Sequence, residues 1–328
     1  MLIYILRRLV WTAVVILAVL FVTYVVFFEL PNGNPALRFC GKEPTEQCIQ
    51  QTDARLHLNK PFYIEFGYFV KTFALGDENG WPGLGYSYGN YISVRTEIIQ
   101  RAPRSLWLIA GAAVIWLTTG VGIGVLSAVK RRTLADRAAM GFALVGISAP
   151  VFWLGLMALY VVWKEHFWIP GLNHLTGGSG YVPLSDGVDH FLAHMILPWS
   201  VLALLYAAIY ARLMRNNLLE TLGEDYIRTA RAKGLSERQV IFKHALRASL
   251  IPIVTIFGLD IALLVGTAII TESVFNLQGL GWLAYNAAIS QDLPTVLGVV
   301  LCTACAVAIM NLVVDILYAF LDPRVRYA

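Results

Sequence analysis

Few side chains in this sequence combine the type and the spacing that chemistry requires. Two carboxylates, Asp260 and Asp315, lie inside long apolar runs, where an ionisable group is costly and so is a functional candidate by default. A paired-aspartate protease would need both within reach of one water. Asp260 sits near the middle of its run, whereas Asp315 lies eight residues beyond the midpoint of its own, a difference in depth of roughly 12 Å at the rise of a helix. The two are therefore expected not to meet. Asp315 is expected to reach the membrane interface near Arg324 or Arg326, and Asp260 to be protonated or bonded to another helix, with Asn tolerated better than Leu.

Other chemistry is searched for without result. Gly41-Lys42 is the one Gly-Lys pair and Glu43 follows it, so the phosphate-binding G-x-x-x-x-G-K-[ST] loop is missing and no nucleotide hydrolysis is expected of this chain. There is no H-E-x-x-H, and no metal or cofactor site is expected. Gly146-Ile147-Ser148-Ala149 approaches a serine nucleophile only superficially, and the following Pro150 makes a helix kink the better explanation. Cys302 and Cys305 stand one turn apart with no His or carboxylate beside them, as small packing residues do.

The elements that must carry these residues follow from composition. Of the 328 residues 58% are hydrophobic and only 14% charged, with a mean hydropathy of +0.64, whereas an ordinary globular chain carries about 25% charged residues. Much of the exterior must face lipid, which predicts an all-α integral membrane protein. A crossing needs about 20 apolar residues, and six segments approach that: 9 to 28, 105 to 129, 138 to 163, 193 to 213, 249 to 271 and 293 to 321. The first is too long for the h-region of a cleaved signal and is read as a permanent helix.

Orientation follows from the basic residues of the short links. Lys130, Arg131, Arg132 and Arg137 crowd one link and eight Lys or Arg lie between 212 and 248, while 164 to 192 holds only Lys164 and 272 to 292 holds none. The basic links are expected in the cytoplasm with both termini, and residues 29 to 104 outside as a cap. The net charge of +4 is this topological bias and no sign of nucleic acid. Cys40 and Cys48 share the external segment, the compartment that tolerates disulfides; a bridge is expected, with free thiols as the alternative.

The 212 to 248 link is unlike an ordinary connection. Leu218, Leu222, Tyr226 and Ala230 recur every four residues as on one helical face, Gly234 supplies a left-handed stop, and Ser236 with Gln239 forms a capping box for a following helix. A short rigid helix displayed with Arg231, Lys233 and Arg238 suits docking into a partner's groove. A basic loop resting on anionic lipid would account for the charges but not for the glycine-centred architecture.

These residues also carry a family resemblance. Asp225-Tyr226-Ile227-Arg228-Thr229-Ala230-Arg231-Ala232-Lys233-Gly234-Leu235, followed by Lys243-His244-Ala245-Leu246-Arg247, resembles the coupling loop of permease subunits of binding-protein-dependent ABC importers, in the dipeptide/oligopeptide/nickel branch. Leu58-Asn59-Lys60-Pro61, Gly76-Asp77, Leu84-Gly85-Tyr86-Ser87, Glu272-Ser273-Val274-Phe275, Gly279-Leu280-Gly281 and Asp322-Pro323-Arg324 extend the likeness over nearly the whole chain. Of the broad E-A-A…G…I-x-L-P pattern only Ala230, Gly234 and Leu246 fit, and Asp77 to Leu84 is longer than the branch usually carries.

The resemblance implies a type I importer permease fold of six transmembrane helices. It implies a second, homologous permease, two ATPase subunits or a fused pair that bind ATP and Mg, and an extracytoplasmic substrate-binding protein. Tyr226, Ala230, Lys233, Gly234, Leu235 and Ser236 would couple the chain to the ATPase. The path would run between the permeases, lined around Pro150, Gly258, Asp260 and Gly266, where small residues also serve plain helix packing, as in Gly120-x-x-x-Gly124. Peptides are the first substrate expected, with nickel chelates, haem or sugars open. A proton-coupled secondary transporter and an intramembrane aspartyl protease using Asp260 and Asp315 are the alternatives, and neither needs the glycine-centred loop.

Overall fold

The computed structural model describes residues 2–30, 36–37, 40, 44–56, 58, 60–87, 89–163 and 179–321. Among these residues the ordered elements are helices, with two isolated bridges at Asp77 to Gly80 and Tyr86 to Ser93. In chain order they are α1 (Leu2–Tyr24, continued by a π-helical turn at Val25–Glu29), α2 (Glu46–Leu56), α3 (Phe62–Leu75), α4 (Val94–Val129), α5 (Leu134–Ser148), α6 (Val151–Trp163), α7 (Val188–Thr221) and α8 (Asp225–Ala232). Next comes α9, which starts as Glu237–Gln239, passes through a π-helical turn at Val240–Ala245 and continues as Leu246–Thr267. The last are α10 (Ile269–Val274), α11 (Leu280–Ser290) and α12 (Leu293–Leu321).

Five stretches are long and apolar enough to cross a membrane: Ile5–Glu29, Val94–Val129, Val188–Thr221, Glu237–Ile261 and Leu293–Ile316, and α5 with α6 makes a sixth if taken as one span. In that sixth the kink expected at Pro150 is a full break, with the two halves bent by 102°. Proline lacks an N–H and drives the residue before it out of helical space, and Ala149 is indeed extended at φ −86° and ψ 127°. Helix ends differ too, since hydropathy marks the lipid crossing rather than the end of the hydrogen-bonded coil. α4 begins eleven residues ahead of the expected 105, taking Arg95, Glu97, Arg101 and Arg104 out of the cap and into the helix.

The centre of the bundle is the contact between α4 and α7. At Gly120 an added Cβ would lie 2.8 Å from the Tyr210 Cβ, and at Gly124 it would lie 2.6 Å from the Ala211 carbonyl oxygen, so these two glycines permit the close approach that G-x-x-x-G spacing offers. Trp116, Leu108, Met195, Tyr210 and Met214 are sealed in this core. Around it α9 packs on α12, and α12 on α1. The outward side of α1 exposes Val10, Trp11, Val14 and Val22, as a lipid-facing helix does.

The long segment between α1 and α4 is tied down by aromatic rings. Tyr24 and Phe28 pack among Phe62, Phe66 and Phe69 of α3 at centroid distances of 5.4 to 5.8 Å, and the Tyr24 hydroxyl donates to Glu65 at 2.8 Å. Cys40 and Cys48 are joined by a disulfide. At the opposite end of α1, Arg8 pairs with Asp315 at 2.7 Å. The antiparallel packing of α1 on α12 brings Arg8 to it. Arg324 and Arg326, as well as Lys164, lie outside the described residues.

Candidate functional site

The glycine-centred turn is built by local hydrogen bonding. α7 ends at Thr221, and after Gly223 the chain re-enters a helix at Asp225. α8 then closes with both bonds of a Schellman motif, Leu235 N–H to the Ala230 carbonyl at 3.4 Å and Gly234 N–H to the Arg231 carbonyl at 2.9 Å. This requires the left-handed residue after the last helical turn to be glycine or nearly so, and Gly234 has φ +79°. Nothing lies within 4 Å of the position its Cβ would take, so the restriction on Gly234 is conformational and not steric, worth roughly 1–2 kcal/mol for a side-chain-bearing residue. Ser236 and Gln239 complete the capping box. Arg231 and Glu237 bridge the turn with two bonds at 2.7 and 3.1 Å.

Two expectations about this turn are corrected. Leu218, Leu222, Tyr226 and Ala230 do not share one helix, because Gly223 interrupts it. On α8 the buried residues are Ile227 and Ala230, both packed into the central core, so Ala230 supports the turn from within and offers no contact surface. Tyr226 and Leu235 are the exposed apolar groups, at 46% and 37% exposure, with Lys233, Gly234 and Ser236 exposed beside them. Partial burial and then the Glu224 carboxylate raise the Tyr226 phenol above its ordinary value, so it is neutral. The helix that starts at Ser236 is also no short docking element. No Gly or Pro occurs from Glu237 to Ile251, nothing stops the coil, and it runs on as the fifth span; α8 is the short helix, seated on the core by Ile227 and Ala230.

Beneath the turn lies an ionic knot that sequence reading missed. Asp136, buried at the start of α5, accepts from Arg215 Nε at 2.8 Å and Nη2 at 3.0 Å, from the Arg132 N–H at 2.9 Å and from the Ser127 hydroxyl. It joins the ends of α4 and α5 to α7. The local signal was Thr133, whose side chain caps α5 and accepts from the Asp136 N–H; the partner 79 residues away carried none.

The other end of the bundle holds a second helical hairpin, α10 and α11, pinned from outside itself. Glu272 is buried and accepts from the Ser105 hydroxyl, from the Trp282 N–H at 2.9 Å and from the Gly281 N–H. Burial raises its carboxyl above the ordinary range, and those bonds pull it partly back. Arg101 and Arg104 donate to the Gln278 carbonyl at 3.2 and 3.3 Å, and the Arg101 guanidinium lies 4.8 Å over the Trp282 ring. Asp292 accepts from Thr295 at 2.8 Å and from Ser87 of the external segment.

The residues read as lining a path divide. Pro150 is exposed at the bend between α5 and α6. Gly258 is a packing glycine, since a Cβ there would fall 2.0 Å from Val314 Cγ2 of α12. The surroundings of Gly266 lie outside the described residues. Asp260 is half-buried and accepts from the Tyr210 hydroxyl at 2.7 Å. A charged side chain at mid-bilayer costs about 2.5–3.5 kcal/mol on insertion scales, so this face of α9 belongs against protein or a watered path. Asp260 and Asp315 keep separate partners, Tyr210 and Arg8, and do not form the dyad a protease needs. Among the described residues no group of three His, Cys, Asp or Glu is placed to hold a metal.

An apolar helical bundle with one broken span and an exposed helix–glycine–helix turn is built to sit in a membrane and to present that turn outside it. Residues 120–327 match the family described as "Binding-protein-dependent transport system inner membrane component", and residues 1–109 match its N-terminal companion. The chain belongs to this family, and so is a multi-pass component of the bacterial inner membrane. It is 36% identical to the dipeptide transport system permease protein DppB of Escherichia coli K12, over 100% of this chain and 99% of the relative. It is 34% identical to DppB of Alkalihalophilus pseudofirmus over the whole of both chains, and 33% identical to a probable peptide ABC transporter permease of Sinorhizobium fredii over 99% of each. The fold is similar to that of a chain from the inward-facing MetNI methionine ABC transporter, with a TM-score of 0.51 at 18% identity, covering 70% of this chain and 97% of that one.

Proposed function

We propose that this permease is one of a pair that together form the path for peptides across the inner membrane, driven by ATP that separate subunits bind with Mg and hydrolyse. The relatives that match it end to end are named for dipeptide and peptide transport, which supports peptides as the substrate class. Both termini and the turn at Gly234 face the cytoplasm, and residues 29 to 104 face outward, where the binding protein delivers its load. The basic links support this orientation. An ATPase subunit, or one half of a fused pair, docks on Tyr226, Lys233, Leu235 and Ser236, with Gly234 setting the angle between α8 and α9. The observation that carries the reading is the Schellman-terminated α8, which exposes apolar side chains at a bundle end where the sequence is basic and no lipid tail would cover them.

The test is reconstitution of this chain with its companion permease and ATPase subunits in vesicles, with labelled dipeptide presented on the binding protein. Uptake should require ATP, the binding protein and every subunit. Uptake by this chain alone under a proton gradient would instead establish a secondary transporter, and ATP-driven uptake of a non-peptide solute with none of dipeptide would overturn the substrate class.

A further inference from the structure

Asp260 has surroundings that the packing of the bundle does not demand. α7 and α9 run antiparallel with a fixed register: Ser249 Oγ bonds the Thr221 hydroxyl at 3.0 Å, and Asp260 bonds the Tyr210 hydroxyl at 2.7 Å. Each pair is eleven residues from the other along both helices, which places Asp260 about 16 Å above the Ser249 and Thr221 layer at 1.5 Å per residue. That keeps it well inside the apolar run 249 to 271, near whose middle it stands. A carboxylate at this depth that is only half-buried by its own chain does not face lipid tails.

The groups beside it are aromatic. Phe257 stands one turn before Asp260 on the same face of α9, and Tyr206 stands one turn before Tyr210 on α7, within the electrostatic reach of Asp260. Trp116 of α4 closes the floor, stacked on Tyr206 at 4.7 Å and tilted against Phe257 at 5.8 Å and Tyr210 at 6.2 Å. Trp116 and Tyr210 are fully buried, whereas Tyr206, Phe257 and Asp260 are each half-buried. The recess therefore opens on the side where the carboxylate is free to take a ligand. A single carboxylate among ring faces is the chemistry that receives an organic ammonium ion, by charge and by cation–π attraction. The carboxylate repels an anion, and the recess lacks the several O, N or S ligands that a metal requires.

We propose that this recess receives the protonated α-amino group of the peptide at mid-membrane, with Asp260 as the charge partner, Tyr210 holding its carboxylate in place, and Tyr206 and Phe257 as the ring walls. The assignment rests on the peptide-permease reading. It replaces the expectation of a structural aspartate at which Asn is tolerated better than Leu: charge is needed at this position, and shape alone is not enough.

The experiment compares ATP-driven uptake of a free-amine dipeptide and its N-acetylated form in the reconstituted importer, each supplied at a concentration that saturates the binding protein. In Asp260→Asn the preference for the free amine should fall at least tenfold, while the ATPase subunits co-purify as with wild type. Asp260→Glu should keep most of the preference, and Tyr206→Leu should lower free-amine uptake severalfold. A preference within twofold of wild type in Asp260→Asn would overturn the assignment. So would equal loss of both peptides together with stimulated ATPase activity, which marks a structural aspartate. Wild-type importer that takes up ATP-driven free-amine dipeptide keeps the permease reading intact in either case, and failure of that control would overturn both.

Discussion

The fifth span is flanked by two helical hairpins of similar size and opposite construction. At its start, the turn between α8 and α9 is held by bonds within itself: the Schellman pair, the capping box and the Arg231–Glu237 bridge all join residues at most six apart. At its end, the hairpin of α10 and α11 is held by Ser105, Arg101 and Arg104, more than 160 residues away in sequence. The first hairpin is a locally preformed unit seated on the core through Ile227, Ala230, Val240 and Ala245, so a motion imposed on it is passed into the bundle and along the fifth span. The second is nailed to α4 and resists such motion. Under the proposed function, the first hairpin would be the handle at the driven end and the second the fixed frame at the end where substrate enters.

Breaking the frame should have the largest effect. Glu272→Ala leaves the buried Ser105 hydroxyl and Trp282 N–H without their acceptor, at roughly 1–3 kcal/mol for each donor, so the melting temperature of the purified chain in detergent should drop clearly; an unchanged melting temperature would show that the hairpin is not pinned by this group. The handle should respond in function rather than stability. Leu235→Asp should leave melting unchanged and weaken co-purification of the ATPase subunits about tenfold, equivalent to about 1.4 kcal/mol. Arg231→Ala loses an exposed bridge worth about 1 kcal/mol at most, and should lower the ratio of transport to ATP hydrolysis modestly. Arg238→Ala should change neither assembly nor uptake measurably, and a strong effect there would redraw the docking surface.

How much of this was legible depended on how local each cause is. The spans, the capping box and the glycine stop were readable because hydropathy, Ser236 with Gln239, and Gly234 act over a few residues. Pro150 announced a kink, but the near right angle depends on how α6 packs, with Gly155 against Val274 and Phe275. The reach of α9 was misread because the absence of a breaker between Glu237 and Ile251 carries as much information as the presence of one at Gly234. Ala230 fits the family pattern, yet which side of α8 is buried is decided by the core beneath it. Asp315 with Arg8, Asp136 with Arg215 and Glu272 with Ser105 are pairings between distant segments, and no spacing rule reaches that far.

The central claim is that the turn at Gly234 transmits ATP hydrolysis into transport, and Gly234→Val tests it most directly. The substitution meets no neighbour and lies outside the bilayer, so insertion and pairing with the second permease should survive, while the β-branched side chain is incompatible with φ +79°. The measurement is ATPase activity stimulated by loaded binding protein together with peptide uptake in the same reconstituted vesicles. The account predicts weakened ATPase docking and hydrolysis uncoupled from uptake. Full stimulation and full uptake in Gly234→Val would contradict it, and would return this segment to a basic surface resting on lipid.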